Sequence, residues 1–301
     1  MIPYVEQPSF SLGPVTVHAF GLIVATAVFA GLAMGRRRFQ RLGLDLALGE
    51  GLAGYAVVAG FAGAHLFSVL LYFPEKVAAN PLVLLKFWED ISSFGSILGG
   101  LLGIWLFLQR RARHLSPQQR WAYLDVAAFV FPFSLAVGRI ACALAHDHPG
   151  TVTAFPLAVS LGRADARAYI AGVYDAARRL AELPPAAALA TLGFHDLGWY
   201  EFLYLAAVVL PAFLLLDRRP RSPGFFLSAF VLLYAPVRFG LDFLRVSDVR
   251  YAGLTPAQWV ALAMLAALLA AVVRRRRRAE WAAARLAPMA DADTSGFPHR
   301  G

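Results

Sequence analysis

Two arginines lie inside long apolar runs of this chain. Arg139 sits in Val137-Gly138-Arg139-Ile140, and Arg238 in Tyr234-Ala-Pro-Val-Arg238-Phe-Gly-Leu-Asp242, with Arg245 closing the same run. A charge in such a segment is costly and normally faces a polar cavity or a partner. On a helix, residues three or four apart share a face, so Tyr234, Arg238 and Asp242 line one side. A guanidinium fork pairs bidentately with phosphate oxygens. Arg139 and Arg238 are therefore suited to a phosphate, and the pattern predicts a lateral cavity for an anionic phospholipid headgroup. An Arg238–Asp242 ion pair that only compensates itself is the plainer alternative.

The apolar run carrying Arg139 ends in His146-Asp147-His148-Pro149-Gly150. These residues fit a polar span end or a general base at an interface. They do not read as a metal site, because neighbouring positions on one short segment rarely supply a coordination set and no second Cys/His cluster matches them. Cys142 is the single cysteine, so no internal disulfide forms, and a buried thiol is more often an inert small hydrophobe than a nucleophile. His195 and Asp196 precede Trp199-Tyr200-Glu201, a composition that suits an interfacial belt. Other ionisable residues in or beside apolar runs are His18, Glu50, His65 and Asp125. The glycines of Ser96-Ile97-Leu98-Gly99-Gly100-Leu101-Leu102-Gly103 predict close helix packing. They do not predict a nucleotide loop, since no strand precedes them.

The elements that position these residues are predicted from composition. Hydrophobic residues make up 59% of the 301 positions and charged residues 16%, a balance shifted from soluble domains toward membrane proteins. Seven apolar stretches, about 15–34, 50–73, 91–109, 121–145, 200–216, 224–244 and 256–273, predict an all-α polytopic protein. The first run ends in Arg36, Arg37 and Arg38, a stop-transfer pattern rather than a cleaved leader. Arginine clusters recur at 110–120, 218–221 and 274–278. The positive-inside rule puts these in the cytoplasm and the N-terminus outside. The net charge of +9 therefore points to anionic lipid and not to nucleic acid. One membrane domain spans 1–278, residues 146–199 form a long external loop with an amphipathic helix within 162–182, and 279–301 form a disordered cytoplasmic tail.

From His18 to Gln258 these features resemble the prolipoprotein diacylglyceryl transferase family. His18-Ala-Phe20-Gly21 is similar to the family's His-x-Tyr-Gly, and Gly99-Gly100-Leu-Leu-Gly103 to its Phe-His-Gly-Gly-Leu-x-Gly. Gly138-Arg139-Ile140 resembles Gly-Arg-Ile-Gly-Asn, and His195-Asp-Leu-Gly-Trp-Tyr200-Glu201 resembles His-Pro-x-Gln-x-Tyr-Glu. Tyr234, Arg238, Asp242 and Arg245 keep the spacing of Tyr-x-x-x-Arg-x-x-x-Glu-x-x-Arg, and Gln258 resembles the glutamine that opens the last span. Departures are Leu98 for the histidine, Phe20 for the tyrosine, Ala141 and Cys142 for Gly-Asn, and Asp147 and Asp242 for glutamates.

The resemblance implies a seven-spanning enzyme of the bacterial inner membrane. It would move diacylglyceryl from phosphatidylglycerol to the lipobox cysteine of a prolipoprotein, with membrane lipids as its surroundings and no cofactor. It assigns Arg139 and Arg238, with Arg245, to the substrate phosphate, and Tyr234 and Asp242 to orienting Arg238 and the leaving group. Asp147 takes the place of a family carboxylate. The proton acceptor lost at Leu98 would be replaced by His146, His148 or His18. The alternatives are a non-catalytic phospholipid or lipopeptide binder that kept the fold, and a transporter. No inverted repeat supports the latter.

Overall fold

The computed structural model describes residues 1–12, 15–71, 73–86, 91–246 and 250–293. The chain opens with a hairpin, β1 (Ser9–Leu12) and β2 (Val15–His18), paired antiparallel. The first apolar run thus begins as a strand, where Val15-Thr-Val17 supplies β-branched residues, and becomes helix α1 only at Ala19–Arg41. Helix α2 (Leu46–Leu71) is followed by the short α3 (Pro74–Ala79), a 3-10 turn at Pro81–Leu85, and α4 (Ser93–Arg110). Helix α5 (Pro117–Ala145) starts with Pro117 behind a Ser116/Gln119 capping box, in which each side chain satisfies an orphan backbone N–H of the other.

Among the described residues, six helices are long and apolar enough to cross a bilayer: Ala19–Arg41, Leu46–Leu70, Pro117–Ala145, Leu197–Leu216, Phe225–Leu244 and Pro256–Arg274. Gly95–Arg110 is a shorter apolar helix. It lies backbone to backbone on α2. A Cβ built on Gly63 would stand 2.5 Å from the Gly95 carbonyl oxygen, and one on Gly99 would collide with the carbonyl of Ala59. Small residues at such a contact let two helices gain the van der Waals packing that replaces hydrophobic drive in lipid.

Beyond α5 the chain builds a small head instead of a loop. Strands β3 (Pro149–Thr153) and β4 (Val159–Ser160), helices α6 (Ala164–Ala176) and α7 (Ala186–Leu189), and strand β5 (Gly193–Asp196) form it. The sheet is antiparallel, in the order β3-β5-β4, so the all-α expectation is corrected here to mostly helical with two small sheets. The expected amphipathic helix is α6. It buries Ala166, Ile170 and Tyr174 with Val159, Leu161, Leu189, Phe194 and Val246 as a core separate from the bundle. Ile2 bridges to Val159, so the N-terminus belongs to the head as well.

Helix α8 (Leu197–Tyr204) passes through a π-turn, Leu205–Val209, into α9 (Leu210–Leu216). Pro211 lies just after that turn, where the missing N–H is absorbed by the wider ladder. Helix α10 (Phe225–Leu241) tightens into a 3-10 turn at Asp242–Leu244, and α11 spans Pro256–Asp293. The Ala-rich sequence after Arg278 favours helix, and α11 continues to Asp293 through the first part of the segment expected to be disordered.

At the end opposite the head, Arg38 pairs with Asp217 at 2.7 Å and stacks over Phe129 at 3.5 Å. This joins the C-terminal ends of α1 and α9 over an aromatic core that includes Phe39, Phe107, Phe213, Phe226 and Phe230. Replacing Gly99 with Val should therefore destabilise the fold by about 1–3 kcal/mol, because the obstacle is backbone. Thermal melting in detergent checks this, with Gly21→Ala, whose Cβ meets nothing within 4 Å, remaining like the parent.

Candidate functional site

Asp196 ends β5 and caps α8 by accepting the Trp199 N–H at 3.1 Å. One turn into α8 stands Glu201, 1% exposed. Its carboxylate collects groups from two other helices. Oε2 lies 2.9 Å from Arg139 Nε on α5, and Oε1 lies 3.1 Å from Arg238 Nη1 on α10. The Tyr234 hydroxyl donates to Oε2 at 2.5 Å. Arg238 Nη1 also lies 2.5 Å from Asp242 Oδ1, and Asp242 accepts the hydroxyl of Thr255. Thr255 and Gln258 in turn form a reciprocal cap at the start of α11, and Gln258 Nε2 donates to the Phe239 carbonyl at 3.0 Å. Arg139, Arg238, Glu201 and Asp242 are all at least nine-tenths buried or nearly so on their side chains.

Two guanidiniums thus face two carboxylates, and the four charges balance. The distances are short, but several N–H and lone-pair directions are not used. Arg139 Nε, Arg238 Nη1, Glu201 Oε1 and Asp242 Oδ1 are buried without an aligned hydrogen bond. Each of these four atoms lies against an opposite charge of the cluster, so the pairing there is ionic.

Arg139 is also held at its tip, where Nη1 lies 3.5 Å from Cys142 Sγ and 3.4 Å from His148 Nε2. His148 Nδ1 pairs with Asp147. Burial lowers the pKa of His148 against the pull of Asp147, and its Nδ1 donates to that carboxylate. Burial works to raise Asp147, but His148 and Arg139 outweigh it and hold the carboxyl below its usual range. Ligand atoms of Cys142, Asp147 and His148 lie within 4.8 Å of one another. Arg139 occupies this same corner, and its charge opposes a cation there.

The structure brings together Arg139, Arg238, Tyr234, Asp242 and, through His148, Asp147. His146 has another task. It is the left-handed cap of α5 (φ 51°), its Nδ1 lies 2.6 Å from Asp196 Oδ2, and its Nε2 donates to the Val5 carbonyl at 3.1 Å. The ring stacks on Tyr4 at 4.6 Å, and the Tyr169 hydroxyl donates to the His146 carbonyl. Both ring nitrogens are engaged, so His146 pins the head to α5. His18 is exposed at the N-cap of α1 and makes no side-chain capping bond there. Arg245 follows the 3-10 turn, where its backbone bridges to Gly150.

Glu201 is the residue that sequence reasoning passed over. The rule that drew attention to Arg139 applies equally to an acid within an apolar run, and Glu201 stands in one at Trp199-Tyr200-Glu201-Phe202-Leu203. Two apolar cavities lie along the helices that carry the cluster. One, of about 350 Å³, lies between α1, α5 and α8–α9, with Gly31, Met34, Val137 and Phe202 on its walls. The other, of about 400 Å³, lies under the head, between Phe155, Leu157, His195, Tyr200, Leu203, Leu241 and Leu244.

Membrane-length apolar helices around a buried arginine–glutamate cluster, roofed by a small head, define a polytopic membrane protein with a polar site inside its helical bundle. The model of the prolipoprotein diacylglyceryl transferase family matches residues 7–274, and the chain belongs to that family. It is 29% identical over 286 residues to the phosphatidylglycerol–prolipoprotein diacylglyceryl transferase of Chromohalobacter salexigens, covering 92% of this chain and 94% of the relative. The protein of the same name from Xanthomonas oryzae pv. oryzae is 29% identical over 290 residues, covering 91% and 92%. That from Xanthomonas campestris pv. campestris is 28% identical over 276 residues, covering 88% and 87%.

Removing Glu201 leaves two buried guanidiniums to face Asp242 alone. Glu201→Leu should destabilise the protein by about 3–5 kcal/mol, read as a lowered Tm in detergent. Glu182→Ala, which breaks an exposed pair with Arg179 on the head, should leave Tm unchanged.

Proposed function

We infer that this chain transfers a diacylglyceryl group from phosphatidylglycerol to the lipobox cysteine thiol of a prolipoprotein, forming a thioether. The observation that supports it best is the convergence of Arg139 and Arg238 on one buried carboxylate beside an apolar cavity. The thiol sulfur forms a C–S bond to the glycerol carbon of the diacylglyceryl group. The C–O bond from that carbon to the phosphate breaks, glycerol phosphate leaves, and the thiol proton passes to a base. Charge grows on the leaving phosphate as the bond breaks, so preorganised guanidiniums aimed at it lower the barrier.

Arg238 is suited to that role. Both carboxylates crowd on its Nη1, while a guanidinium fork carries five N–H donors. Glu201 and Tyr234 hold the two arginines in place, and Asp242, tethered by Thr255, fixes Arg238 from the other side. Arg245 adds positive charge near the same end of α10. The apolar cavity beside Val137 and Phe202 suits an acyl chain of the lipid.

The proposed topology has seven spans, with α4 as the shortest, the N-terminus and head outside, and the arginine-rich ends of α1, α4, α9 and α11 in the cytoplasm. The membrane is then the bacterial inner membrane, and the partners are phosphatidylglycerol, the lipobox segment of the precursor and the surrounding lipids.

The test is a transfer assay with purified protein, phosphatidylglycerol and a synthetic lipobox peptide, read by mass spectrometry. The expected product is the peptide plus one diacylglyceryl group. Arg238→Ala should lower the rate at least about 100-fold, whereas Arg41→Ala, whose side chain is 71% exposed, should keep most of it. Equal losses would contradict the phosphate-clamp assignment. No product, with phosphatidylglycerol binding intact, would favour a non-catalytic binder.

A further inference from the structure

Resting on the transferase reading, the proton acceptor is the part of the site left without a residue, since Leu98 stands where the family has histidine. The rings at the head end differ in what they have to spare. His146 has one nitrogen on Asp196 and the other on the Val5 carbonyl. His148 has one on Asp147 and the other against Arg139. His65 Nε2 donates to the Val83 carbonyl at 2.9 Å.

His195 stands apart from these. Its Nδ1 lies 2.9 Å from the Tyr200 hydroxyl, while its Nε2 has no hydrogen bond among the described residues and is not a closed-off buried atom. The ring is half-buried on the wall of the cavity under the head, and His195 and Tyr200 are the two polar side chains among the apolar Phe155, Leu157, Leu203, Leu241 and Leu244. Phe155 packs against both rings. The same two elements that line this cavity carry the charged cluster: Tyr200 precedes Glu201 on α8, and Leu241 and Leu244 flank Asp242 at the end of α10.

We propose that His195 is the catalytic base of this chain and that the cavity under the head receives the cysteine side chain of the precursor. In the productive tautomer, Nδ1–H donates to the Tyr200 oxygen, which leaves the Nε2 lone pair free on a ring that lines the cavity. Nε2 takes the proton of the thiol, and the resulting thiolate forms the C–S bond as the C–O bond to phosphate breaks. The imidazolium returns its proton to solvent after the glycerol phosphate has left. Burial lowers the pKa of His195, which keeps the ring neutral and able to accept a proton at pH 7. Tyr200 is then a positioning residue, fixing which nitrogen carries the hydrogen.

The experiment compares parent, His195→Ala and Tyr200→Phe on two lipobox peptides, one with cysteine and one with selenocysteine, whose selenol is ionised at neutral pH and needs no base. His195→Ala should lose about 100-fold or more on the cysteine peptide, regain most of the parent rate on the selenocysteine peptide, and be partly rescued on cysteine by added imidazole. Tyr200→Phe should show a smaller loss of the same kind. Equal losses on both peptides would mean a structural role, and no loss on cysteine would mean another base; either overturns the proposal while the active parent upholds the transferase reading. An inactive parent overturns both.

Discussion

The bundle depends on a single carboxylate held away from water between two guanidiniums. Without Glu201, Arg139 would be an uncompensated charge within an apolar helix and Arg238 would keep Asp242 alone, and burying an ion costs several kcal/mol of desolvation. Glu201 makes Arg139 and Arg238 mutually tolerable at short range, and in doing so it fixes how α5, α8 and α10 meet. Tyr234 and Asp242 complete the arrangement from α10, and Thr255 extends it to the start of α11. The chemistry proposed for the site is a consequence of this constraint. Two arginines fixed side by side form an electrostatic socket for a developing phosphate charge.

The head answers a second constraint, since α5 and α8 must end at heights that bring Arg139 and Glu201 level. His146 and Asp196 set this. One caps the end of α5, the other caps the start of α8, and they bond to each other at 2.6 Å. The N-terminal segment is drawn into the same knot through the Val5 carbonyl and the Tyr4 ring. The head has a hydrophobic core of its own, from Val159 to Val246. The catalytic base assigned to His195 lies at the junction of these two constraints, on the last strand of the head and the wall of a cavity shared with the bundle.

Much of this was legible in the sequence, and the omissions have physical reasons. The long helices were visible as apolar runs, and the Gly95–Gly103 stretch as a close packing surface, because both signals are local. Arg139, Arg238, Tyr234 and Asp242 were visible because a charge in an apolar run is rare and helical spacing places three of them on one face. Glu201 carried the same signal but was absorbed into a motif read as an interfacial belt. The role of His146 was not legible: its partners Val5, Tyr4, Tyr169 and Asp196 are scattered along the chain, and only the folded head brings them to one ring. The three-stranded sheet was hidden for a similar reason, its strands being too short to show alternation and paired across a helical insertion.

The central claim is that Glu201 and Arg238 stabilise each other and not merely the fold around them. A double-mutant cycle with Glu201→Gln and Arg238→Gln, scored by reversible unfolding in detergent, tests it most directly. The account predicts a coupling of about 2–3 kcal/mol, the double variant being far less destabilised than the sum of the singles. Additivity within about 0.5 kcal/mol would show that the two residues stand close without depending on each other, and would contradict it.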